Sequence, residues 1–288
     1  MNTCKTILGF KYCGEIKNAE LAYAWCRGQI PEHTDLAITS CFFPYINNFF
    51  DIGANSGSYC VLASALGEGR IKSYAFEPQK KCVDDLKATA SANGWEDTLK
   101  IHEIALSNKN GTEKIYFDEN VSTGTSFVNK DGENYFEIAT LTFDDYCENN
   151  AVESVDFIKI DVEGFELEVL EGGENIITNS SPAIFIEILN NTPTKQKSIN
   201  LLQKQGYKLY IFQKNEMIEF STKQEFRNID MYLCLKEKHN HILHHIQDLL
   251  SNDSLLYEPF RQSSLSPYRK IINFYLLKMR YLMRSFLK

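Results

Sequence analysis

Three short blocks of this 288-residue chain gather the residue types that bind or transfer chemical groups. The first is FFDIGANSGSY, Phe49 to Tyr59, where an apolar run meets Asp51 and then Gly53, Ala54, Asn55, Ser56 and Gly57. Gly53 and Gly57 let the backbone turn sharply and approach a ligand with no side chain in the way. A carboxylate at the carboxyl end of a strand suits a cationic amino group or a ribose hydroxyl. The second block, AFEP, sets Glu77 at the end of the next apolar run, about 20 residues past the loop. Rossmann-like folds hold an acid for ribose hydroxyls at that spacing. The loop reads G-x-N-x-G and lacks the G-x-G-x-x-G that seats a pyrophosphate on a helix N-terminus, which counts against a dinucleotide-dependent oxidoreductase.

The third block is IDVEGFE, with Asp161, Glu163, Gly164 and Glu166 where a strand turns into a helix. Gly164 permits the turn, and Glu163 sits near a helix N-terminus that favours negative charge. Glu187 closes the apolar run IFIEI and reaches the same rim from a neighbouring strand. Acids at the carboxyl ends of strands lie in the crevice where open α/β sheets bind ligands. They suit proton transfer where burial raises a pKa, and their oxygens suit Mg²⁺. Glu166 is equally suited to capping its helix. No histidine falls in these blocks, and His102 sits inside a strand pattern where a core role fits it.

The elements that must position these acids follow from the hydrophobic pattern. INNFFDIG, IKSYAFEP and LKIHEIAL read as strands, separated by helices over SYCVLASALG and QKKCVDDLKATASANG. TEKIYF and YFEIATLTF read as two further strands around a Ser/Thr- and Gly-rich loop. The alternation then resumes with VDFIKID, the helix FELEVLEGGENII, PAIFIEI, and the helix TKQKSINLLQKQG. GYKLYIF and MYLCLKE close the body as an adjacent strand pair. Such alternation is the signature of crossover units on a parallel sheet. The expected architecture is a Rossmann-like α/β domain with a seven-stranded, mostly parallel sheet and an antiparallel edge hairpin. The expected divisions are a helical lead-in over 1–45, the ligand-binding body over 46–238, and a C-terminal extension over 239–288.

DIGANSGSY, FEP, ALSN, the GTSF loop, ATLTFDDY and FIKIDVEGFELEVLEG together resemble the FkbM family of methyltransferases, across roughly Phe49 to Asn190. The resemblance implies a class I enzyme that uses S-adenosylmethionine and methylates hydroxyls on sugars, polyketides and related products. It implies that Asp51, Gly53, Asn55 and Gly57 embrace the methionine and ribose parts of the cofactor, with Glu77 on the ribose hydroxyls. Glu103 and Ile104 would border the adenine. Asp161, Glu163 and Glu187 become the catalytic candidates beside the transferring methyl, with the general base unassigned. A divalent cation held by these acids is the other way to lower the hydroxyl's pKa. The loop of Gly124, Thr125, Ser126 and Phe127 would border the acceptor. The expected function is O-methylation of a small molecule or glycan, with a sugar favoured. The alternative is a cofactor-binding module without catalysis that anchors a partner or membrane through its tail, and the retained acidic rim favours the enzyme.

Bulk properties narrow the field further. A net charge of -8 argues against a protein that coats nucleic acid. The charge is uneven, with seven Lys and Arg and no Asp or Glu from Arg261 to Lys288, which leaves -15 on the remainder. Within RKIINFYLLKMRYLMRSFLK, Arg280, Arg284 and Lys288 form a basic stripe and Ile271, Tyr275, Leu282 and Phe286 an apolar one. This pattern suits packing on its own domain, a homo-oligomer contact, or a peripheral anionic membrane surface. Eight scattered cysteines with no C-x-x-C point to a reducing, cytoplasmic setting, and no sustained apolar run marks a membrane span. HNHILHH puts His241 and His245 one helical turn apart. No Cys or acid stands near to complete a metal set, so a solvated helix face is expected there.

Overall fold

The computed structural model describes residues 2–6, 8–14, 20–27, 34–67, 69–117, 125–126, 135–190, 192–213, 216–221 and 230–251. The chain opens with a hairpin, β1 (Asn2–Lys5) and β2 (Lys11–Gly14), followed by α1 (Glu20–Cys26) and α2 (Thr34–Ser40). The crossover units come next, as β3 (Asn48–Ile52), α3 (Ser58–Gly67), β4 (Lys72–Phe76), α4 (Lys80–Asn93) and β5 (Leu99–His102). β6 (Ala105–Ser107), β7 (Gly111–Phe117), β8 (Thr125–Ser126) and β9 (Tyr135–Thr142) form a separate small sheet, and α5 (Phe143–Asn149) leads back to the main one. The second half runs β10 (Phe157–Ile160), α6 (Glu166–Gly172), α7 (Glu174–Ser180), β11 (Ala183–Glu187) and α8 (Lys195–Lys204). β12 (Lys208–Gln213), β13 (Glu216–Glu219), β14 (Met231–Leu235) and α9 (Asn240–Ser251) follow.

The main sheet has eight strands in the order β13-β12-β14-β11-β10-β3-β4-β5. β11, β10, β3, β4 and β5 are mutually parallel, and β14 runs against β11 and β12. β3 is followed outward by β4 and β5 on one side, while β10 and β11 build the other side. The direction of growth therefore reverses between β3 and β10, the place where open α/β sheets bind ligands. β13, at the outer edge, is the strand beyond the seven expected from sequence, and it pairs antiparallel with β12 as the edge hairpin.

Strands covered on both faces are apolar throughout, and the two-residue period sorts their side chains between two cores. Phe49, Phe157, Ala183 and Phe185 face a layer with Val61 and Leu62 of α3 and Leu86 of α4. Phe50, Ile158, Ile184 and Ile186 face Phe143, Val169, Leu170 and Ile177 on the other side. Each fully buried Phe contributes on the order of 2–3 kcal/mol, so a one-residue register slip, which would swap these faces, is strongly disfavoured. The register sets Lys159 of β10 directly beside Asp51 of β3.

Four local readings differ from the sequence expectation. LKIHEIAL is two strands, broken at Glu103 and Ile104 where the chain leaves the main sheet for the small one. FELEVLEGGENII is two helices that meet at Gly173, and an added Cβ at the neighbouring Gly172 would lie 1.9 Å from the Ser107 carbonyl oxygen. The lead-in is a hairpin as well as helices, and Lys11 and Cys13 tie it to Asn93 and Thr89 of α4. The expectation of reduced cysteines fails at Cys4 and Cys26, which form a disulfide with Cα atoms 5.9 Å apart, while the other six are free. Among the described residues, no helix is long and apolar enough to cross a membrane. The basic tail, Gly124 and Phe127 lie outside the described residues, while Thr125 and Ser126 form β8.

Candidate active site

A cleft of about 690 Å³, open to solvent, lies at the carboxyl ends of β3, β4 and β10. One wall is apolar, with Ile52, Phe76, Ile104, Leu106 and Ile115, while Asn55, Glu77, Gln79, Asp161 and Glu163 bring polar groups. The floor is the loop after β3, held by hydrogen bonds from the Gly53 and Ala54 amides to the Phe76 carbonyl at 2.9 and 3.0 Å. Gly53 has φ +78°, and a Cβ there would lie 1.8 Å from the Asp161 carbonyl oxygen. Only glycine lets the two strand ends close this tightly. Asn55 and Glu163, both lining the cleft, also hold left-handed backbone, with φ 48° and 52°. Non-glycine residues persist there at a cost of about 1 kcal/mol or more, and such strain gathers at functional sites.

Glu77 is 4% exposed and belongs as much to the loop as to the cleft. Its Oε2 accepts from the Asn55 amide at 2.8 Å and its Oε1 from the Gln79 amide at 2.9 Å. Burial pushes its carboxyl up to about 7 against these two hydrogen bonds and the attraction of Lys159. Each oxygen keeps a further lone pair for a ligand hydroxyl. An apolar slot for a flat heterocycle, bordered by a carboxylate suited to vicinal hydroxyls, fits an adenosine-bearing cofactor.

The other end of the cleft is acidic. Asp161, Glu163 and Glu187 each bring a carboxylate oxygen within 4.8 Å of the others. Lys159 Nζ lies 2.9 Å from Asp161 Oδ2, its side chain 4% exposed inside the sheet. Burial works to raise the Asp161 carboxyl, but Lys159 and a hydrogen bond from Glu187 outweigh it and hold it below the usual carboxylate range. Burial and that same hydrogen bond push Glu187 up to about 9. The pair is thus split, with Asp161 held toward its ionised form and Glu187 toward its protonated form. Burial also raises Glu163.

The structure gathers some of the residues singled out from sequence and sets others apart. Gly53, Asn55, Glu77, Ile104, Asp161 and Glu163 line the cleft. Asp51 is fully buried beneath the loop, where its Oδ2 accepts from the Cys60 amide at 3.0 Å and holds the start of α3. Gly57 serves packing, since a Cβ there would lie 2.3 Å from Leu86 Cδ1 of α4. Glu103 points outward, its side chain 41% exposed and 3.8 Å from Lys80. Glu166 is buried and accepts from the Gly164 amide at 2.8 Å, so it fixes the turn after Asp161. His102 bonds the Tyr146 hydroxyl at 2.8 Å, and His241 and His245 flank the Tyr45 ring. Sequence reasoning passed over Lys159 and Tyr59, whose ring centroid lies 4.8 Å from Lys159 Nζ. A lysine inside the apolar run FIKI was the available signal.

A mostly parallel α/β sheet, with a cleft at its switch point and acids across from Glu77, is the class I methyltransferase fold. The methyltransferase FkbM domain matches residues 51–243, and the chain belongs to that family of S-adenosylmethionine-dependent methyltransferases. It is 29% identical over 139 residues to the hexuronic acid methyltransferase AglP of Haloferax volcanii, covering 48% of this chain and 54% of that protein. It is 26% identical over 150 residues to the 2-O-methyltransferase NoeI of Sinorhizobium fredii, covering 45% and 58% respectively. The chain thus aligns with little more than half the length of each relative. A solved FkbM methyltransferase from Methylobacillus flagellatus aligns with a TM-score of 0.44 and 16% identity, over 65% of this chain and 43% of that one.

Proposed function

We propose that this protein transfers a methyl group from S-adenosylmethionine to a hydroxyl oxygen of a carbohydrate. The observation that carries the reading is the pairing, across one cleft, of Glu77 at one end with Asp161 and Glu163 at the other, where Glu187 joins them in an acid cluster. The two named relatives methylate a hexuronic acid and a 2-hydroxyl, by their names, and this supports a sugar acceptor.

When bound, S-adenosylmethionine supplies an electrophilic methyl on a sulfonium. Glu77 holds ribose hydroxyls through its remaining lone pairs, and Asn55 and Gly53 shape the loop beside it. Ile104 and Phe76 cover the adenine. Asp161, ionised and anchored by Lys159 and Glu187, aligns the acceptor hydroxyl by accepting its hydrogen bond. Glu163, at the strained turn, is the second carboxylate within reach of that proton. Alignment of oxygen with the methyl supplies much of the barrier reduction, and proton acceptance adds about 10²–10⁴-fold.

The test is transfer of labelled methyl from S-adenosylmethionine to uronic acids, neutral sugars and glycan precursors, read by mass spectrometry. Methylation at a sugar oxygen is expected. Transfer only to nitrogen or carbon acceptors would overturn the reading.

A further inference from the structure

We infer that Lys159 is the resident counter-cation of the acid cluster, positioning Asp161 in its ionised form in place of a divalent metal ion. The inference rests on the reading of the cluster as the reacting end of the cleft. Three carboxylates with oxygens within 4.8 Å of one another resemble a hard-cation site, since Mg²⁺ and Ca²⁺ take oxygen ligands. The surroundings do not fit one. Lys159 Nζ already lies 2.9 Å from Asp161 Oδ2, and its side chain is enclosed at 4% exposure. A divalent ion at the cluster would meet the Lys159 ammonium enclosed directly behind Asp161, and the two cations would repel. The cluster thus has an internal cation already paired with one of its three carboxylates.

The placement of Lys159 follows from strand geometry. Phe157, Lys159 and Asp161 share one sheet face by the two-residue period, and the register puts Lys159 level with Asp51 on β3 and Phe185 on β11. The groups that act on Lys159 come from every neighbouring element. Asp51 faces it from β3, Tyr59 from α3, Asp161 from the end of its own strand, and Glu77, Glu163 and Glu187 from the surrounding strand ends. A buried lysine keeps its proton only among such acids, and the acids stay close only around such a lysine. Lys159 reaches no part of the cleft surface itself, so it acts through Asp161.

The test is titration of the full-length protein with Mn²⁺ alone, following the free-ion signal by electron paramagnetic resonance. The wild-type protein is expected to leave the signal unchanged at submillimolar Mn²⁺. K159M, which strips the counter-charge from the carboxylates, should bind Mn²⁺ at least about tenfold more tightly, because charge count tunes such sites. K159R keeps the charge and should gain no Mn²⁺ binding. With an acceptor found by the sugar panel, EDTA-dialysed wild-type enzyme should keep its kcat, and the acid limb of the K159M pH profile should move upward as Asp161 loses its partner. Micromolar Mn²⁺ binding by wild-type protein, or turnover lost to EDTA and restored by Mg²⁺, would overturn the inference. If K159M does not fold, the wild-type and K159R titrations still decide. Failure of wild-type protein to bind S-adenosylhomocysteine would instead strike the methyltransferase reading and leave the Mn²⁺ result standing.

Discussion

Replacing Glu77 by glutamine removes a titration that burial has displaced by more than two pH units, and the consequence for stability can be worked out. The Glu77 carboxyl lies at about 7 in the folded protein, against 4.5 ordinarily, chiefly because it is buried. Its folded-state pKa is above its unfolded value, so folding takes up a proton between these limits. That contribution is fully present below pH 4.5 and is lost as pH rises through 7. Between pH 5 and pH 8 it falls by about 2.5 kcal/mol. Glutamine keeps the shape and one acceptor, and it does not titrate. Urea unfolding of wild-type and Glu77→Gln proteins at both pH values gives the difference of differences, which cancels the other carboxylates. The variant should gain about 2.5 kcal/mol on the wild type from pH 5 to pH 8, whatever its offset at pH 5. An unchanged offset, within about 0.5 kcal/mol, would show that Glu77 is not buried as described.

Other expectations follow from the same geometry. Asp161→Asn should lower kcat by about 10²–10³-fold while leaving S-adenosylhomocysteine affinity within about threefold, measured by steady-state kinetics and calorimetry. Equal losses in both would remove Asp161 from the chemical step. Gly53→Ala should destabilise the fold by more than about 3 kcal/mol, since its Cβ meets backbone at 1.8 Å, whereas Gly69→Ala should cost about 1 kcal/mol despite its φ of +79° because nothing lies within 4 Å. Urea midpoints of the two variants check the contrast. Reduction of Cys4–Cys26, which spans 22 residues, should cost about 3 kcal/mol and lower the melting temperature. A melt unchanged by dithiothreitol would show the hairpin to be held by α4 alone.

Much of the Glu77 end of the cleft was legible because single residue types force it. Gly53 and Glu77 stand at strand ends marked by their own apolar runs, and the loop between carries its glycines in plain view. The reason for Gly57 was hidden, as its neighbour Leu86 comes from a helix far along the chain. Asp51 stands at its strand end as read, and the structure buries it beneath the loop, where it accepts from the Cys60 amide. The acid pair was legible only as two separate strand ends. That Asp161 and Glu187 meet depends on β10 and β11 being neighbours in register, which no local pattern states. Lys159 was the clearest omission, since the alternation that places Phe157 in the core places Lys159 beside Asp51.

The most direct test of the central claim is calorimetric titration of the protein with S-adenosylhomocysteine and, separately, with NAD. One-site binding of S-adenosylhomocysteine is expected, weakened by about 1–3 kcal/mol in Glu77→Ala, with no comparable binding of NAD. Tight NAD binding with none for S-adenosylhomocysteine would contradict it.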